Sequence, residues 1–145
     1  MGIVKVVCAI IFKDDLVLIC RRKPEKSLGG YWEFPGGKVE DSETYEETLT
    51  RELAEELDLK INIDQPFVNH IHHYERGSIE LISFICSTDQ SKLKLVDHDR
   101  IEWVKVEDLL KWQLAPADIP IARALVDKKI KQIQYGAFKT KGNNN

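Results

Sequence analysis

The sequence predicts an α/β protein in which a mixed β-sheet lies between helices. Three observations carry this reading. Apolar runs of strand length recur along the chain, bounded by Gly, Pro, Asp or Ser. One long amphipathic helical stretch, ending near Leu57, interrupts them. A second helical pattern opens at Ile119, after the last strand-like run.

Ile3–Phe12 reads as a buried strand, Lys13-Asp14-Asp15 as a turn, and Leu16–Arg22 as the returning strand of a hairpin. Pro24–Gly30 is a loop, and the aromatic run Tyr31–Phe34 a further strand that ends in a turn at Pro35. Ser42 is the expected N-cap of the central helix, with Glu43, Glu46 and Glu47 where the helix dipole favours negative charge. Lys60–Ile63 is a short strand. Phe67–Tyr74 pairs with Ile79–Cys86 across a turn at residues 75–78. Thr88–Arg100 is loop, Ile101–Val106 a strand, and Glu107–Lys111 a helical turn. The final helix is expected from Ile119 to about Gln132. One domain over residues 1–140 and a disordered tail at 141–145 complete the plan, with no internal repeat or linker.

The central helix carries a further pattern. On a wheel of about 100° per residue with Glu52 at zero, Tyr45, Leu49, Leu53 and Leu57 form the apolar stripe at about 20° to 140°. Glu56 falls at about 40°, inside that arc. Glu52 and Glu56 therefore share a face at the edge of the core, where unpaired carboxylates are costly. Two readings are open: a divalent cation held by hard oxygen ligands, or a solvated acidic helix with an i,i+4 pair. Arg51 lies to the other side and cannot serve every carboxylate.

From Gly37 the chain reads G-x5-E-x7-R-E-L-x-E-E-x-x-L. This stretch resembles the Nudix box, in which the residue before the last aliphatic position is glycine. Gly37, Glu43, Arg51, Glu52, Leu53, Glu55, Glu56 and Leu59 match, and Asp58 departs. Helix C-termini often need a left-handed residue there, a conformation that Asp tolerates better than most. Outside the box, Trp32–Glu40 and Leu114–Pro120 are similar to the MutT-type branch, the second motif being closest in form to its cytidine triphosphate members.

The resemblance implies the Nudix fold, an α/β/α sandwich with a mixed sheet. It implies a magnesium-dependent hydrolase, with manganese as an alternative, that cleaves nucleoside triphosphates to monophosphate and pyrophosphate. Glu52 is then the base or ligand-orienting residue, Glu56 the central metal ligand, and Glu55, the Gly36 carbonyl and the late acidic residue Asp97 further ligands. Arg51 is expected to brace Glu43. Arg22 and Lys38 are candidates for phosphate contact, and Phe34, with Trp32 on the same strand face, for stacking on the base. Asp118 has two roles open to it, reading the base or capping the final helix. Removal of modified nucleotides such as 8-oxo-dGTP is the leading expectation. Cytidine or methylated deoxycytidine triphosphates are the alternative, and a nucleotide-binding module without cleavage a third, against which the intact carboxylates argue.

Composition bounds the partners. With 21 basic and 24 acidic residues the net charge is −3, so no global basic field draws the protein to nucleic acid. The small nucleotide remains as partner, for a monomer or homodimer. No signal peptide or membrane span is expected, and Cys8, Cys20 and Cys86, all in apolar runs, read as buried free thiols of a cytoplasmic protein. His70 and His72 share a strand face with His73 beside them, a zinc pattern without a third ligand.

Overall fold

The computed structural model describes residues 2–129. The end of the last expected helix and the expected tail lie outside that range. Seven strands form one mixed sheet: β1 (Ile3–Lys13), β2 (Leu16–Arg22), β3 (Trp32–Glu33), β4 (Gly36–Lys38), β5 (Asn62–Tyr74), β6 (Gly77–Ser87) and β7 (His98–Lys105). Helix α1 is Tyr45–Leu57, a 3-10 helix spans Val106–Lys111, and α2 begins at residue 119.

The hairpin of β1 and β2 turns on Asp14 and Asp15, both with positive φ, as a two-residue loop requires. The two strands pair only beside that turn, at Phe12 with Val17 and Lys13 with Leu16. Beyond it they diverge, and residues 32–38 fill the gap. Trp32 and Glu33 pair with Arg21 and Cys20 of β2, while Gly36–Lys38 pair antiparallel with Val6–Cys8 of β1. The expected Tyr31–Phe34 strand is thus shorter, because Phe34 and Pro35 carry the chain from one strand to the other. β1 also runs parallel to β6 over ten residues, and β7 runs antiparallel along β2.

Alternation along β1 divides the core between the two faces. Val7, Ala9 and Ile11 pack with Leu49, Leu53 and Leu57 of α1. Cys8 and Ile10 pack with Ile121, Ala122 and Leu125 of α2. The result is the expected α/β/α sandwich. All three cysteines are free and buried, and burial pushes their thiols up, Cys86 to about 12.

Three element boundaries correct the sequence reading. Thr44, not Ser42, caps α1. Its hydroxyl accepts from the Glu47 N–H at 3.1 Å, and Glu47 accepts in turn from the Thr44 N–H at 2.8 Å, a reciprocal box that Ser42 lacks a partner to build. β5 is one strand through Pro66, because that residue lies on the outer strand of the sheet and the pairing register shifts beside it. β7 starts three residues earlier than expected, at His98, since it continues along β2 to Arg22. At the other end of α1, Asp58 adopts the left-handed conformation, φ 52°, and closes the helix as the sequence anticipates.

Candidate active site

Gly36 and Gly37 build one wall of the site. A Cβ on Gly36 would lie 1.9 Å from the Val7 carbonyl oxygen, so only glycine lets β4 run this close to β1. A Cβ on Gly37 would lie 2.3 Å from the Glu52 carboxyl carbon. The second glycine is what allows that carboxylate to press against the strand. Behind this wall lies a cavity of about 520 Å³, within the range of small-ligand pockets. Its lining includes Arg22, Glu33, Glu56, Tyr74, Asp97 and Asp118.

Arg51 organises the carboxylates more widely than expected. It donates to both oxygens of Glu43 at 2.7 and 2.9 Å, the brace the sequence suggests. Its Nη1 also donates to Glu52 at 3.0 Å and to Glu55 at 3.2 Å. So Arg51 does serve three carboxylates, because Glu43 leaves that nitrogen free to reach back along its own helix. This pairing holds the Glu43 carboxyl down at about 2 and raises the Arg51 guanidinium further above its ordinary value. Glu55 is itself well exposed, at 61%.

Glu56 is left out of this arrangement. Its Oε2 is buried and has no hydrogen-bond partner among the described residues. Burial, then the neighbouring Glu52 carboxylate, then Glu33 and Asp97 push its carboxyl up to about 9. An oxygen in that position needs a proton or a cation. The donor set, all carboxylate and carbonyl oxygen around a polyanion-sized cavity, suits a hard divalent ion. Among the described residues no three acidic, histidine or cysteine side chains already converge on one point. Asp97 reaches the neighbourhood through its loop. Lys94 and Val96 donate N–H groups to the Leu57 and Glu56 carbonyls that end α1, which brings Asp97 up to the helix. Its carboxylate pairs with Lys26 at 3.3 Å.

The other predicted residues separate. Arg22 lines the cavity, and so does exposed Lys38. Phe34 touches the cavity but is only 3% exposed and belongs to the α2-side core, as does Trp32. Asp118 is buried, and its side chain does not cap α2. Pro120 provides no N–H in the first turn, and Oδ2 instead accepts the Phe34 N–H at 2.9 Å. The helix begins on the Asp118 backbone carbonyl, which accepts from Ala122. Burial, then the charge of Glu33, pushes the Asp118 carboxyl well above its ordinary value, against the Phe34 N–H and Arg22, which pull it down. His70 and His72 stand with ring centres 6.0 Å apart on β5, and His73 bonds Ser78, so these imidazoles gather no metal set among the described residues.

Glu33 and His98 are residues that the sequence reading passed over. His98 Nε2 lies 2.9 Å from Glu33 Oε2, and Arg22 Nη1 donates to both Glu33 oxygens at 3.1 and 3.3 Å. The partners are 65 residues apart along the chain, and neither carries a local signal beyond its place in a motif.

The NUDIX domain family matches residues 3–125. The chain belongs to the Nudix family. Within it, the chain is 33% identical to the CTP pyrophosphohydrolase of Escherichia coli K12 over 126 residues, 87% of this chain and 93% of that protein. It is 49% identical to the 8-oxo-dGTP diphosphatase of Proteus vulgaris over 81 residues, 56% of this chain and 72% of that protein. The solution structure of the E. coli ORF135 protein superimposes with a TM-score of 0.80 at 32% identity, covering 89% of this chain and 92% of that one. Nudix hydrolases generally use divalent metal ions. That accords with the partnerless oxygen of Glu56. No helix among the described residues is long and apolar enough to cross a membrane.

Proposed function

We propose that this Nudix hydrolase is a magnesium-dependent nucleoside triphosphate pyrophosphohydrolase, releasing the nucleoside monophosphate and pyrophosphate. One observation carries the reading. A single cavity is lined both by Glu56, whose buried oxygen calls for a cation, and by Asp118, whose buried carboxyl can meet a base edge. Glu56, Glu52 and the Gly36 carbonyl would hold the ion, with Glu55 and Asp97 at its margin. Once bound, it offsets phosphate charge and acidifies a water.

The chain's own residues have distinct tasks. Glu52, steadied by Arg51 Nη1 and 17% exposed, is available to accept a proton from the attacking water. Arg22 and Lys38 offer donors to phosphate oxygens. Tyr74 and Leu81 supply apolar surface beside Asp118 for the base.

Base choice follows from the proton on Asp118. Burial favours the neutral acid, with Oδ2 accepting from Phe34 and the hydroxyl on Oδ1. Such a group presents a donor beside an acceptor. Cytosine offers the complement, an N3 acceptor beside an N4–H donor. Guanine and 8-oxoguanine present two donors, N1–H and N2–H, and need the ionised form. The cytidine reading is therefore the one this geometry favours, in keeping with the E. coli CTP pyrophosphohydrolase. The 8-oxo-dGTP reading rests on likeness to the P. vulgaris enzyme. A panel of CTP, 5-methyl-dCTP, 8-oxo-dGTP and dGTP ranked by kcat/KM tests the choice. Cytidine substrates ranking first supports the neutral acid. 8-oxo-dGTP ranking first at neutral pH refutes it.

A further inference from the structure

Arg22 is held at two of its three nitrogens. Its Nε donates to the Ser27 carbonyl at 2.7 Å and its Nη1 to Glu33. Nη2 makes no hydrogen bond to a described residue, and Arg22 lines the cavity. The direction of that remaining nitrogen is thus set by the Ser27 carbonyl and Glu33 together, and Glu33 is the side-chain partner of the two. Glu33 in turn has a reason to move. It is a carboxylate near two others, and its charge acts on both Glu56 and Asp118. The shortest bond that restrains it is the one from His98, 2.9 Å against 3.1 and 3.3 Å from Arg22. His98 is 3% exposed at the head of β7, paired in register with Arg22. A carboxylate only accepts, so the Nε2 hydrogen points at Glu33, and Nδ1 is left buried without a partner among the described residues. An imidazole placed at that cost, with one nitrogen spent on Glu33, does more than fill space.

We propose that His98 is a positioning residue: through Glu33 it fixes the guanidinium of Arg22 so that Nη2 meets a phosphate oxygen of the substrate. This rests on the reading of Arg22 as a phosphate contact. His98 borders the cavity, but its Nε2 is engaged by Glu33, so its proposed part is to position Arg22 rather than to contact the substrate. The link makes the start of β7 serve both the acidic end of the cavity, through Asp97, and its cationic wall.

The test is a kinetic cycle on the intact protein with CTP and magnesium, comparing wild type, Arg22→Ala, His98→Ala, the double variant and His98→Gln. A lost charge-assisted hydrogen bond is worth about tenfold or more in binding. Arg22→Ala is expected to raise KM by about that factor. His98→Ala is expected to raise it nearly as far with little change in kcat, and the double variant to be no worse than Arg22→Ala. His98→Gln, whose amide N–H can stand in for Nε2–H, should recover most of the loss. Titration of a non-hydrolysable CTP analogue should reproduce the order in Kd. If Arg22→Ala leaves KM unchanged, the phosphate reading of Arg22 fails. If Arg22→Ala raises KM while His98→Ala does not, or if the two losses multiply, the relay through Glu33 fails and the arginine contact stands. Should His98→Ala fold poorly, His98→Leu, which fills the space without a donor, takes its place. KM raised about as far as in Arg22→Ala, with no further rise in the double variant, supports the relay, and a wild-type KM or multiplicative losses contradict it.

Discussion

Burial leaves Glu56 two ways to shed its charge, a proton or a cation. Without metal its carboxyl is raised from the usual 4.5 to about 9, so the folded protein keeps a proton that the unfolded chain gives up. The sign follows: this contribution to stability is fully present below about pH 4.5 and is lost as pH rises through about 9. Glu56→Gln removes the titration while keeping the shape. The metal-free variant should lose that part of the decline of Tm with pH, and turnover should fall by at least ~10²-fold. Thermal melts from pH 5 to 9 with chelator check the first, and a variant that keeps the wild-type slope contradicts it. Glu52→Gln should lower kcat by about 10²-fold with little change in KM, as for a lost general base. A loss confined to KM would assign Glu52 to binding. Asp118→Asn gives a sharper contrast. Asn offers a donor beside an acceptor, as the neutral acid does, so CTP turnover should survive. A guanine edge meets the same unpaired donor in the neutral acid and in Asn, so kcat/KM for 8-oxo-dGTP should also change little, whereas a carboxylate that ionises to bind guanine would make it fall about 5- to 150-fold. Parallel losses would remove base reading from Asp118.

Elements explain why these residues stand where they do. α1 was legible because its signals are local: an apolar stripe, carboxylates three and four apart, and an arginine eight residues from Glu43 in the preceding loop. Its start was misread, since Ser42 and Thr44 are both good caps and only Thr44 has a glutamate at the third helical position. Thr44→Ala should cost about 1 kcal/mol, measurable by denaturant melts, and Ser42→Ala much less. The crossing of residues 32–38 between two strands was not legible. It depends on β1 and β2 parting beyond their turn, which no local pattern announces. Gly36 is its signature after the fact. Gly36→Ala puts a Cβ on the Val7 carbonyl oxygen and should destabilise by about 3 kcal/mol or more. A melt within error of wild type would mean β4 can pull away from β1 freely.

Across the whole molecule, the sandwich and the acidic helix face could be read from the sequence, while the joining of the two ends of the site could not. Glu33 meets His98 across 65 residues and Phe34 meets Asp118 across 84. The first contact exists because β3 and β7 both pair with β2, the second because the chain leaving β3 passes the start of α2. Asp118 shows what such a contact changes. From sequence its carboxylate could be taken as ionised and suited to guanine. Burial and the nearby Glu33 charge raise its carboxyl well above its ordinary value, against the opposing pull of the Phe34 N–H and Arg22, and the neutral acid so favoured would suit cytosine. One cavity thereby brings together a buried Glu56 oxygen without a partner among the described residues and the buried Asp118 carboxyl, the pair on which the proposed triphosphate hydrolysis rests. The most direct test is product analysis by phosphorus NMR with CTP, with and without magnesium, for wild type and Glu56→Gln. Wild type should release CMP and pyrophosphate with magnesium only, and the variant almost none. CDP and phosphate as products, or equal turnover by Glu56→Gln, would contradict the proposed function.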